Sequence, residues 1–116
     1  MGFTPLDHEW IQNVIHMMSS ILDIKLNVTY TTSLDHFNKY YEDELGGTKT
    51  SKNDMGSAET MYGYIWLNAE EHKKRPVSEL LNTIIHELIH IKYPEMSEEN
   101  VVLETDKYVP TQKDQE

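Results

Sequence analysis

The segment from Pro76 to Ile91 constrains this chain most, because as a helix it is apolar around nearly its whole circumference. Val77, Leu80, Leu81, Ile84, Ile85, Leu88, Ile89 and Ile91 leave one narrow polar stripe, formed by Glu79, Asn82, Thr83, His86, Glu87 and His90. A helix with so little polar surface belongs in the middle of a domain, covered on several sides. A chain of 116 residues with 38% apolar composition can build one such core and not two. The reading is a single domain over residues 1–109 and a polar C-terminal tail over residues 110–116.

The covering elements follow from periodicity. Thr4 is suited to cap a first helix, Pro5 to open it, and Asp7 to favour the positive end of its dipole. Trp10, Ile11, Val14, Ile15, Met18, Ile21 and Leu22 recur at helical spacing, so this helix runs to about Asp23. Leu26, Val28 and Tyr30 alternate with Asn27 and Thr29, the period of a half-buried strand. Ser33 to Leu45 reads as a short helix with Leu34, Phe37, Tyr40 and Tyr41 inward, stopped by Gly46-Gly47. Thr48 to Ser57 is polar and reads as a loop. Met61 to Asn68 is aromatic and β-branched and reads as a strand, with Gly63 marking a bulge or the close approach of another backbone. His8, His16, His36 and His72 read as surface or half-buried imidazoles. Pro94 ends the apolar helix, and Ser97 caps a last one with Glu98 and Glu99 in its first turn. Pro110 terminates it.

Composition removes several classes of function. There is no cysteine, so disulfides, thiol nucleophiles and Cys-ligated metals are excluded, and any metal site must use His and carboxylates. A formal net charge of −10 repels phosphate backbones, and no basic cluster offsets it, so nucleic acid is not a partner. No run approaches the ~20 apolar residues of a membrane span, and no secretory signal opens the chain. The expectation is a cytoplasmic protein without a membrane partner.

Within the polar stripe stands His86-Glu87-Leu88-Ile89-His90, an H-E-x-x-H pattern. Residues i and i+4 share a helix face, so both imidazoles can reach one ion at ~2.1 Å. Glu87 is rotated by ~100° from His86 and reaches beside the ion without binding it, where it can take a proton from a water. Burying these three side chains without partners would be costly, which favours the metal reading over a hydrogen-bonded core pair. Zinc held this way supplies a polarised carbonyl and an acidified water, the chemistry of peptide hydrolysis. A catalytic zinc takes a third protein ligand, and no His follows His90. If the last helix folds back about Glu95, the level between His86 and His90 meets residues near 102. Glu104 is then the favoured ligand, Glu98 and Glu99 are the alternatives, and Asp106 is either a carboxylate supporting a ligand imidazole or an exposed acid.

The HELIH helix, the preceding aromatic strand YGYIWLN and a following helix with a glutamate resemble the zincin metallopeptidases over residues 60 to 109. The glutamate-ligand tribe, the gluzincins, and its minimal soluble members, the minigluzincins, are the most similar. The resemblance implies an α+β fold, in which a small twisted sheet lies beside a buried active-site helix and a C-terminal glutamate helix. It also implies strand addition of an extended peptide substrate to an edge strand, here Met61 to Asn68, and a zymogen-like latency imposed by the C-terminal segment. The glutamate four residues before an aspartate found in many larger gluzincins is missing, because Val102 precedes Asp106 at that spacing. Two other readings stand beside a zinc peptidase. One is a catalytically silent zincin-like binding or regulatory module with a structural zinc, against which the intact Glu87 argues. The other is a metal hydrolase with a non-peptide substrate.

Overall fold

The computed structural model describes residues 5–45 and 53–109. Among them, helices α1 (Pro5–Ile21), α2 (Leu34–Leu45), α3 (Ala69–His72), α4 (Val77–Lys92) and α5 (Glu98–Thr105) surround a sheet of β1 (Thr29–Thr31), β2 (Gly56–Glu59) and β3 (Tyr64–Leu67). The fold is small and α+β. The expected Thr4 cap, the Gly46-Gly47 stop and the tail of residues 110–116, with the latency ascribed to it, lie outside the described residues.

The apolar helix is central, as its composition requires. Ile84, Ile85, Leu88 and Ile89 of α4 are buried among Ile11, Val14, Ile15 and Met18 of α1, Leu22 just beyond it, Ile65 and Leu67 of β3, and Val101 of α5. The buried residues of α1 form one stripe at helical spacing. Trp10 and Ile21 stand ~80–100° round the helix on one side of that stripe and are exposed. On the far face of the sheet, Phe37 of α2 is fully buried, with its ring centroid 5.5 Å from that of Tyr64.

Strand order is β1-β3-β2, with β1 parallel and β2 antiparallel to β3. This corrects two expectations. The aromatic strand is the middle strand, so it cannot be the edge to which a substrate adds. A strand, Gly56-Ser57-Ala58-Glu59, also begins inside the segment read as loop, which ended at Ser57, and it carries no β-branched or aromatic residue to announce it. The β2–β3 connection is held by Glu59, whose buried carboxylate accepts from the Met61 and Tyr62 backbone N–H groups. Gly63 closes the turn at φ +78°, and its carbonyl accepts from Thr29 N–H at 3.0 Å, the close approach its presence suggested. The alternation expected from Leu26 onward is realised only at Thr29–Thr31.

His72 is a further correction. Read as exposed, it is only 4% exposed, because the charged stretch around it forms the single turn α3 that packs on α4. Burial pushes its imidazole pKa below the usual value.

The different exposures of α4 residues set different costs of truncation. Ile84→Ala, at a fully buried site, should lower stability by about 2–5 kcal/mol, and Val77→Ala, at a site 63% exposed, by less than about 0.5 kcal/mol. Urea midpoints with unchanged slopes would check both values.

Candidate metal centre

His86 and His90 lie one turn apart on α4, on the side turned away from α1. Their Nε2 atoms stand 3.2 Å apart, with ring centroids 4.9 Å apart. Glu98, the first residue of α5, closes the cluster: its Oε2 is 2.8 Å from His86 Nε2 and its Oε1 is 2.9 Å from His90 Nε2. Among the described residues, His86, His90 and Glu98 are the group that could hold a metal ion. Protons can satisfy the cluster if each imidazole donates from Nε2 to one Glu98 oxygen. A cation can satisfy it equally if both rings carry their proton on Nδ1 instead.

The structure therefore gathers Glu98, one of the two alternatives, and leaves Glu104 outside the cluster. The Glu104 carboxylate lies 2.9 Å from Nζ of Lys107, two residues past the end of α5. Helical geometry explains the difference. The face of α5 turned to α4 carries buried Val101 and Thr105. Glu98 falls on that face at spacings of three and seven residues, whereas Glu104 is rotated ~120° from Glu98. Ser97 caps α5, its Oγ accepting from Asn100 N–H at 3.2 Å, and so fixes where the first turn begins. Glu99 is exposed in the same turn, and Asp106 is the exposed residue that ends α5; neither belongs to the cluster.

Glu87 does not belong to the ligand group but faces the same cleft. That cleft, about 400 Å³, runs between β2 and α4, with Gly56, Ala58 and Thr60 on one wall and His86, Glu87, His90 and Glu98 on the other. Gly56 permits the close packing. A Cβ there would stand 2.8 Å from Thr83 Cγ2, 3.0 Å from the Trp66 carbonyl oxygen and 3.4 Å from Glu87 Oε2. Because Asn68 N–H donates to the Met55 carbonyl, alternation along the antiparallel ladder turns the backbone groups of Ser57 and Glu59 toward β3. Those of Gly56 and Ala58 point to the open side. Sequence reasoning missed this wall because Gly-Ser-Ala has the composition of a loop.

The electrostatics divide the roles. Burial lowers the His86 pKa, partly opposed by Glu98, so the ring is neutral and able to bind a cation. Glu87 is 7% exposed, and its carboxyl pKa is pushed up to about 8, first by burial and then by the negative charges of Glu98 and Asp54. Beside a divalent cation the same carboxyl would be drawn back toward its charged form.

Comparison of the chain with protein-family models, with curated proteins and with solved structures returned no match. The resemblance to the zincins is carried by the residues quoted above alone.

Two predictions follow from this geometry. Glu98→Ala should weaken binding of a divalent transition-metal ion by more than tenfold and Glu104→Ala by less than threefold, both estimates of order of magnitude, as measured by competitive chelator titration. In chelator-stripped protein, the raised Glu87 pKa means that the folded state holds a proton that the unfolded chain releases above about pH 4.5. Stability contributed by that proton is present below pH 4.5 and is lost as pH rises to about 8. Glu87→Gln should thus match the native protein in urea midpoint at pH 4 and exceed it at pH 8, by a stability difference on the order of a few kcal/mol.

Proposed function

We propose that this chain is a zinc-dependent peptidase that cleaves extended peptide segments, with His86, His90 and Glu98 as ligands and Glu87 as general base. One observation carries the reading: three metal-binding atoms converge on one point while a buried, non-ligating carboxylate faces the same cleft across from a strand edge. The donor set suits zinc. Two nitrogens at ~2.1 Å from a tetrahedral ion would lie ~3.4 Å apart, and the two Nε2 atoms stand 3.2 Å apart. The Glu98 side chain is 68% exposed, so the third ligand sits at the open mouth of the cleft. A structural site is ordinarily closed by four protein ligands, which favours the catalytic reading over a silent module.

Zinc in this place would polarise the scissile carbonyl and make a neighbouring water acidic. The work of the chain's own residues is proton transfer and alignment. Glu87 accepts the proton of the attacking water and passes it to the departing amine, and the apolar helix around it lets the carboxyl hold that proton between the two steps. The outward backbone groups of Gly56 and Ala58 align an extended peptide by strand addition, a role that falls to β2 because β3 is flanked on both sides. An acidic protein whose described helices include none long and apolar enough to cross a membrane fits a peptide substrate, with neither nucleic acid nor lipid as partner.

Glu87→Gln should retain stoichiometric zinc and the native circular dichroism spectrum while peptide hydrolysis falls by at least ~10²-fold. His90→Ala should lose the metal. Peptide cleavage by zinc-loaded Glu87→Gln at the native rate would remove Glu87 from the mechanism. Stoichiometric zinc in His90→Ala would move the site elsewhere.

A further inference from the structure

We infer that the end of the cleft beyond Glu87 is a subsite for a basic side chain, Lys or Arg, next to the scissile bond, with Asp54 as its counter-charge. The inference rests on the peptidase reading and names the substrate class that it takes. A pocket of about 260 Å³ opens there, lined by Asp54, Met55, Gly56, Asn82 and Thr83 and bordered by His86 and Glu87. At roughly 30 Å³ per water it has the volume of about nine waters, room for one long side chain. Among the described residues no Lys or Arg lines it, while Asp54 contributes a carboxylate and Asn82 and Thr83 contribute an amide and a hydroxyl. Met55 offers an apolar wall, suited to the methylene stem of a Lys or Arg whose head reaches the acid.

Two features mark the pocket as a built site rather than a chance gathering of acids. The first is that Asp54 is exposed but its backbone is pinned. Asn68, 6% exposed, donates from Nδ2 to the Asp54 carbonyl at 2.9 Å and from its backbone N–H to the Met55 carbonyl at 2.9 Å, while its Oδ1 accepts from Glu71 N–H at 3.2 Å. All three bonds hold the strand entry against the N-terminus of α3, so the carboxylate is presented from a fixed position. The second is Glu87, more than nine-tenths buried, which borders the same pocket and whose carboxylate makes no hydrogen bond among the described residues. A cationic side chain in the pocket would meet the Asp54 carboxylate as an ion pair, which a neutral side chain of the same length cannot do.

The test uses the full chain loaded with zinc and two separate readouts. Cleavage is measured on quenched peptides carrying Lys or its uncharged isostere norleucine at each position flanking the scissile bond. Binding is measured by calorimetry with non-hydrolysable peptide hydroxamates carrying the same pair. Lys should be preferred about tenfold in both. Asp54→Asn should abolish the preference, and Asp54→Lys should turn it toward Glu, with native circular dichroism in each variant. Cleavage without a Lys or Arg preference, or a preference unchanged in Asp54→Asn, overturns the subsite and leaves the peptidase reading in place. Hydroxamate discrimination that depends on Asp54, without cleavage of any peptide, keeps the subsite and overturns the peptidase reading. Absence of both cleavage and discrimination overturns the two together.

Discussion

Burial of α4 between α1, the sheet and α5 is the constraint on which the other features depend. Its apolar residues can leave water only if the domain is built around them, and the turns that carry Ile84, Ile85, Leu88 and Ile89 into the core also carry His86, Glu87 and His90. The packing that drives folding thus sets the imidazoles at their spacing and holds Glu87 where water barely reaches it. Side chains fixed by core packing cost little further entropy when they meet a ligand, which suits residues that must act at fixed distances.

That placement has an electrostatic consequence. A carboxyl buried beside two other acids resists ionisation, whereas a cation at the neighbouring cluster would favour it. On the proposed reading, metal and general base would therefore be coupled, with Glu87 able to accept a proton in the state in which the ligand cluster is filled. Burial also keeps His86 neutral. Glu98 differs from these residues in standing exposed at the start of a short helix, fixed by the Ser97 cap and by the packing of Val101 and Thr105 one and two turns on.

The cleft owes its shape to the smallest residues near it. Gly56 lets β2 approach α4 until a Cβ would collide with Thr83, and this closeness brings the outward edge of the strand alongside Glu87. Asn68 holds the entry to that strand through two hydrogen bonds and caps α3 with a third. Neither residue bears reactive chemistry, yet both set the distance between the strand wall of the cleft and the wall that carries His86 and Glu87.

The sequence by itself determined the elements that depend on local pattern: α1, the long central helix, the aromatic strand, the Ser97 cap and the pairing of His86 with His90 one turn apart. Helical periodicity and side-chain spacing are intrachain properties, so composition and order suffice to read them. Tertiary structure decided which carboxylate completes the cluster, which strand forms the edge and whether His72 is buried. Glu98 and Glu104 are alike in type and lie on the same helix, and only the rotation of that helix against α4, with Val101 and Thr105 inward, distinguishes them. β2 is a strand because β3 supplies its hydrogen-bond partners, not because Gly-Ser-Ala-Glu prefers to be extended. His72 is buried because one turn of helix, too short to show a period, comes to rest against α4. In each case the deciding energy lies in contacts between residues distant along the chain, which local order does not encode.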